Sequence, residues 1–164
     1  MKFHPSTVQT RYESPLGPMI VAATDRGLAG LWFEGQRHLP DSSRWPHAPG
    51  HPVLKQAVAQ LADYFAGRRI RFDLPLDLQG GTAFQQSVWQ ALLAIPRGDT
   101  TSYGALSARV GRPSAVRAVG AAVGRNPVSI IVPCHRVVGS DGSLTGYAGG
   151  LERKSALLGL ERAS

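Results

Sequence analysis

The sequence predicts an α+β chain in two parts: a small antiparallel sheet with one helix, then a mostly helical second part. Three observations predict it. Apolar-rich runs split by turn signals fill the first 34 residues. Apolar residues at helical spacing mark 51–66, and from residue 82 onward helical patterns dominate. Gln79-Gly80-Gly81 is the linker between them, so the units expected are 1–80 and 81–164.

Residues 7–14, 18–24 and 28–34 read as strands, separated by turns at Pro15-Leu16-Gly17 and Asp25-Arg26-Gly27. The stretch 36–50 is polar, carries three prolines and reads as a surface loop. In 51–66 Val53, Leu54, Ala57, Val58, Leu61, Tyr64 and Phe65 share one helical face, and Gly67 stands at the stop. Residues 69–78 alternate like a strand, with Ile70, Phe72, Leu74, Leu76 and Leu78 on one side. Thr82 and Gln85 then fit a capping box, opening a helix that buries Phe84, Val88, Trp89, Leu92 and Leu93 and ends near Pro96-Arg97-Gly98. Two short helical patterns, 102–109 and 113–123, are joined by Val110-Gly111-Arg112, the spacing of a helix-turn-helix. Ala115, Ala118, Gly120, Ala121 and Ala122 make the second of these small-sided, so its backbone can approach a neighbouring surface closely. Residues 129–132 form a short apolar run expected to be a buried strand.

The formal net charge is +7, unevenly spread. Residues 1–80 hold nine Lys/Arg against seven Asp/Glu, whereas 81–164 hold nine against four. Six arginines and a single acid, Asp99, lie between Arg97 and Arg136. A basic second half suits a polyanion such as nucleic acid, or is simply a soluble basic surface. No apolar run has the length to span a bilayer, and Met1-Lys2-Phe3-His4-Pro5 lacks the apolar core of a signal peptide, so a cytoplasmic location and no membrane partner are expected. One cysteine excludes an internal disulfide, and the five histidines show no ligand spacing; neither a metal nor a cofactor is expected.

That cysteine is Cys134, in Pro133-Cys134-His135-Arg136-Val137. A lone cysteine is commonly an inert core hydrophobe. Here His135 is adjacent and Arg136 adds positive charge, the surroundings that raise a thiolate fraction and make sulfur a nucleophile. Neighbours on an extended chain point to opposite faces, so a bridging water between Cys134 and His135 is expected, with Glu161 or Asp141 orienting the imidazole.

The string Pro133-Cys134-His135-Arg136-Val137, preceded by Asn126-Pro127 and followed by Gly146-Tyr147-Ala148-Gly149-Gly150, resembles the O6-alkylguanine-DNA alkyltransferases, also called methylated-DNA–protein-cysteine methyltransferases. The resemblance runs from about Gly81 to Glu161 and takes in Ser102-Tyr103 and Arg117-Ala118-Val119-Gly120. It is weaker in the first half, resting on strand order and the Tyr64-Phe65-Ala66-Gly67 helix end.

It implies a ribonuclease-H-like first part and a winged-helix-like second part that carries DNA binding and chemistry. It implies repair by direct reversal: one irreversible transfer of the alkyl group from O6-alkylguanine, and from O4-alkylthymine, to Cys134 after base flipping. By the same resemblance His135 acts through water as the base and Glu161 holds it, while Tyr103 assists flipping and donates to the departing ring. Asn126 braces the turn, and Arg117 is the finger that fills the gap. Ser102, Ala118, Ala121, Arg125 and Arg136 join Arg117 and Tyr103 against the DNA. Main-chain groups of Cys134 and Val137, with Tyr147, Ala148, Gly149 and Gly150, recognise the base. The duplex is met through its minor groove; a prokaryotic-type monomer is expected, with cooperative loading on DNA left open. Some relatives carry serine at the position of Ala148, and a non-reacting branch has tryptophan in place of the cysteine; this chain keeps Cys134. Two rivals from other classes remain: a helix-turn-helix protein that only senses damage, and a Cys-His hydrolase that turns over.

Overall fold

The computed structural model describes residues 1–163. β1 (Val8–Ser14), β2 (Gly17–Thr24) and β3 (Gly27–Phe33) form an antiparallel meander in that order. Glycines with positive φ, Gly17 at 119° and Gly27 at 148°, turn the chain between the strands. α1 (Pro52–Phe65) packs on all three strands and buries Leu54, Ala57, Leu61 and Tyr64. Its start is set by His51, whose side chain accepts from the Val53 N–H, and by Pro52, which lacks the donor the first turn cannot use.

β3 is buried along its whole length, and two chain segments meet its free edge. At Leu28 the N–H donates to the Pro75 carbonyl and the carbonyl accepts from the Asp77 N–H. At Leu31 the N–H donates to the Pro127 carbonyl and the carbonyl accepts from the Ser129 N–H. Both segments look like strands in sequence, and each pairs with β3 at one residue only. Residues 69–78 therefore do not form the strand their alternation predicts. Phe72, Leu74 and Leu76 lean on the core, but Pro75 has no N–H to continue a ladder. Residues 129–132 are not a strand either. After Val128 the chain turns with Ile130 at φ 71°, a conformation rare for a β-branched residue.

α2 (Ala83–Leu92) begins with the expected capping box, Thr82 and Gln85 each bonding the other's backbone N–H. Its Trp89 Nε1 donates to the Ala122 carbonyl at 2.8 Å, fixing α2 on α4. α3 (Tyr103–Arg109) is capped by Ser102 and meets α4 (Val116–Gly124) through a turn in which Gly111 takes φ 76°. α4 starts three residues later than Pro113, because the Ala115 N–H closes a turn onto the Arg112 carbonyl. β4 (Thr101–Ser102) pairs in parallel with β5 (Val137–Val138), which follows a single 3₁₀ turn at Cys134–Arg136. α5 (Leu151–Arg162) closes the fold; burying Lys154 and Glu161 beside Leu157 and Leu158 breaks the apolar stripe that would announce a helix. A single buried cluster runs from Met19 and Phe33 through Trp89 and Val119 to Cys134 and Leu157. Among the described residues no helix is long and apolar enough to cross a membrane.

Candidate active site

Cys134 is positioned by backbone irregularity. The Ile131 N–H bonds the Ser129 carbonyl across Ile130, and the Cys134 N–H bonds the Val132 carbonyl across Pro133, whose φ of −83° and ψ of 64° make an inverse γ-turn. Asn126 holds this path. Its Nδ2 donates to the Val132 carbonyl at 2.7 Å and the Val128 carbonyl at 3.3 Å, while its Oδ1 accepts from the Val128 N–H at 2.9 Å. All three bonds are buried, so the asparagine satisfies main-chain groups that no strand partner reaches.

Cys134 is 7% exposed, and the surface it keeps faces a cavity of about 550 Å³. The cavity brings together Tyr103, Ala121, Arg125, Asn126, Tyr147 and Ala148 from the residues the sequence singled out. Gly120 sits against Tyr103, where a Cβ would lie 3.7 Å from the ring. Ser129 and Thr145 also line it, with Arg37 and His38 arriving from the first half of the chain.

Behind Cys134 lies a fully buried carboxylate network. Glu161 Oε2 is 2.8 Å from His135 Nε2 and accepts from the Tyr64 hydroxyl at 2.6 Å. Arg136 donates from Nε to Oε1 at 2.8 Å and from its terminal nitrogen to Oε2 at 3.0 Å. Of the two acids considered for orienting the imidazole, Glu161 does so; Asp141 is exposed and accepts from the Ser143 N–H within its own turn. Burial alone would raise the Glu161 carboxyl. The bonds from His135, Arg136 and Tyr64 hold it well below the ordinary carboxylate range.

An ionised Glu161 can only accept, so His135 Nε2 carries the hydrogen. Burial holds the imidazole below its ordinary value against the pull of Glu161, which keeps the ring neutral and Nδ1 bare. Nδ1 is buried and has no side-chain or backbone partner among the described residues. It is the one proton acceptor this network leaves over.

Two expectations are corrected. Cys134 is not a standing thiolate: burial pushes the thiol above its ordinary value, against the lowering effects of the Asn126 side chain and the Lys154 charge. Arg136 does not reach a DNA surface, nor does it lend its charge to the sulfur. It is 8% exposed, its guanidinium faces Glu161, and Nη1 donates to the Ile95 carbonyl at 2.6 Å. The resting pair is thus a thiol beside a neutral imidazole.

The remaining candidates divide. Arg117 and Ala118 are exposed on α4, outside the cavity. The Ser102 hydroxyl accepts from the Ala105 N–H at 3.0 Å, so it serves as a helix cap. Val137 is fully buried, and its carbonyl accepts from Lys154 Nζ at 2.6 Å. Neither Gly149 nor Gly150 lines the cavity. A Cβ on Gly149 would come 2.7 Å from the Tyr147 ring and 3.0 Å from Phe33, and Gly150 takes φ 96° ahead of α5.

Sequence reasoning missed Tyr64 and Lys154. Lys154 is fully buried and joins the Val137 carbonyl to the Thr145 carbonyl, the latter at 2.8 Å. The buried charges of α5 were its only signal, and they masked the helix itself.

A family model described as the 6-O-methylguanine DNA methyltransferase DNA-binding domain matches residues 83–163, and one described as that family's ribonuclease-like domain matches 7–78. The methylated-DNA–protein-cysteine methyltransferase of Mycobacterium bovis is 50% identical over 151 residues, covering 92% of this chain and 90% of that protein. The protein of the same name from Methanosarcina barkeri is 47% identical, over 91% and 93%. The crystal structure of the Mycobacterium tuberculosis O6-methylguanine methyltransferase superposes with a TM-score of 0.87 at 48% identity, covering 96% and 93%. A structure of the Mycobacterium tuberculosis protein in complex with DNA gives 0.86, over 96% and 92%.

Proposed function

Because this chain belongs to the 6-O-methylguanine DNA methyltransferase family, we propose that it repairs DNA by direct reversal, moving the alkyl group of O6-alkylguanine onto Cys134. The observation that carries the reading is the shared wall: the only sulfur nucleophile, Tyr103 and the small-sided face of α4 line one cavity, with a neutral His135 held by an ionised Glu161 behind it. A base inside the stack cannot be attacked, so the nucleotide swings out into that cavity, at a cost of about a few kcal/mol in lost stacking.

The step runs from thiol and imidazole. His135 Nδ1 takes the thiol proton through a water, Glu161 stabilises the imidazolium, and the sulfur attacks the alkyl carbon in line with the departing oxygen. The new bond is C–S and the bond broken is C–O. Its electron pair stays on the purine, which takes a proton from the Tyr103 hydroxyl as it leaves. The Asn126 side chain and the Lys154 charge, which already favour the ionised sulfur, stabilise the charge as it forms. A thioether has no base-labile bond for water to cleave, so each molecule acts once. O4-alkylthymine presents the same alkyl–oxygen bond and is a second substrate.

Residues 81–164 form the DNA-binding and alkyl-acceptor unit, and 1–80 the supporting one. α4 enters the minor groove as a monomer with Ala118 and Ala121 against the sugars; Arg117 fills the gap and Arg125 meets phosphate. The Tyr147–Ala148 wall holds the base. The protein acts in the cytoplasm, on chromosomal DNA.

Incubating the protein with a duplex carrying a labelled O6-methylguanine tests this. One label per protein on Cys134, absent in Cys134→Ala although that variant still binds, is the expected result. Label released to solvent over many turnovers would establish a hydrolase instead, and binding without transfer a sensor.

A further inference from the structure

Arg37 and His38 belong to the polar stretch between β3 and α1, in the half of the chain assigned above to support. Both nevertheless line the cavity that holds Cys134 and Tyr103. The Arg37 N–H donates to the Ala148 carbonyl at 3.0 Å, tying this stretch to the base-facing wall. His38 follows with φ 59°, a left-handed conformation that non-glycine residues keep only where the surroundings impose it. Arg125, just after α4, completes the rim.

The rim is a one-sided concentration of charge. Arg37, His38 and Arg125 are all exposed, and neither arginine has a carboxylate partner among the described residues. His38 is held below its ordinary value by burial first, then by Arg125 and Arg37, so both guanidinium groups act on the same imidazole. Like charges gathered at a cavity mouth repel until an anion joins them. A nucleotide whose base fills the cavity leaves its phosphodiester at that mouth, and a guanidinium fork matches phosphate oxygens.

We propose that Arg37, with His38 beside it, grips a backbone phosphate of the flipped nucleotide, so that residues 1–80 take part in binding the substrate. The proposal rests on the damaged-base reading above. It gives the polar loop a direct role at the DNA, through an arginine anchored by its own backbone to the pocket wall.

The test measures binding of an O6-methylguanine duplex to the Cys134→Ala protein over a series of salt concentrations. Adding Arg37→Gln should weaken binding several-fold at low salt and reduce the slope of log K against log[salt] by about 1, the loss of one phosphate contact. Arg37→Lys keeps the charge and should keep the slope; Arg68→Gln, whose side chain pairs with Asp63 and lines none of this cavity, should change neither. An unchanged slope in Arg37→Gln, with preference for the lesion duplex intact, overturns the phosphate contact alone. No preference for the lesion duplex in the parent protein overturns the damaged-base reading and takes this proposal with it.

Discussion

The β1–β3 sheet and the segment from Asn126 to Val138 touch at Leu31, yet they are held by different means. In the sheet every residue from Val8 to Ser14 has a cross-strand partner in β2, and the hydrogen bonds are those any strand sequence makes. The Asn126–Val138 segment is as apolar as a strand but bridges at Val128 and then folds through tight turns onto named side chains. Regular structure tolerates substitution because its bonds are backbone bonds. The irregular segment concentrates its support in a few polar side chains, and those same groups set the protonation of the sulfur and the imidazole. Stability and chemistry should therefore be separable in the sheet and inseparable around Cys134.

The sharpest break of that contrast is Glu161→Ala. It leaves Arg136 buried without its carboxylate and frees the His135 ring, and removing one partner of a buried pair typically costs about 3–5 kcal/mol. Denaturant unfolding should show that loss, and alkyl transfer should fall by more than tenfold at temperatures where the variant is still folded. A loss under about 1 kcal/mol, within the range of an exposed pair, would mean the network is decorative. The pH dependence has a definite sign. The Glu161 pKa is depressed in the fold, so its contribution is full above about 4.3 and is lost as pH falls below that. His135 is also depressed, so its contribution is full above about 6.5 and is lost on further acidification. Both act on the acid side, and wild-type stability should decline below about pH 6.5. In Glu161→Ala the share of the decline below about 4.3 that Glu161 contributes should vanish.

Asn126→Ala ranks second. It removes three buried bonds and strands the Val128 N–H, which costs about 1–3 kcal/mol when unsatisfied, while the Val132 carbonyl keeps only its bond from the Cys134 N–H. A net loss of about 3 kcal/mol is expected, with transfer slowed as well, since the turn that aims Cys134 loses its brace. Full transfer activity in a destabilised variant would show that the turn holds its shape without the side chain.

The two regions were also unequally legible. The three strands could be read because alternation and turn glycines are local signals, and so could the capping box at Thr82 and Gln85. Residues 69–78 and 129–132 carried the same alternating or continuous apolar signal, but whether a strand forms depends on a free partner edge. β3 offers that edge at Leu28 to one segment and at Leu31 to the other. No local pattern tells that one edge is shared. Cys134 and His135 stood out by residue type and Glu161 was singled out from Asp141 only by the family resemblance, whereas the neutral state of the site could not be read. It depends on Arg136 facing Glu161 and on how deeply the thiol is buried, both consequences of long-range packing.

Val21→Ala probes the other side of the contrast. Val21 is fully buried in β2 opposite Leu31, and removing its two methyl groups should cost about 2 kcal/mol through lost burial and a small cavity. Chevron or equilibrium unfolding should show the loss, while the rate of alkyl transfer by the folded protein stays within about twofold. A large drop in transfer would mean that the sheet transmits strain through Leu31 to the Ser129 turn, and the two regions would have to be treated as one mechanical unit.

Thr82→Ala is the smallest effect and the finest test. Thr82 is exposed, and its side chain does one thing: it accepts from the Gln85 N–H at 3.1 Å at the start of α2. Losing that cap should cost about 1 kcal/mol, visible as a modest drop in the unfolding midpoint. The helix it starts carries Trp89, whose indole bonds the Ala122 carbonyl on α4, the helix whose other face lines the cavity. If α2 only supports α4, fraying its first turn leaves Trp89, two turns further on, where it is, and transfer from duplex DNA is unaltered. If transfer slows along with the loss of the cap, the position of α4 depends on the whole length of α2. The influence on chemistry would then extend beyond the side chains that touch Cys134 to an ordinary helix cap, and the division between a tolerant scaffold and a few decisive polar groups would fail.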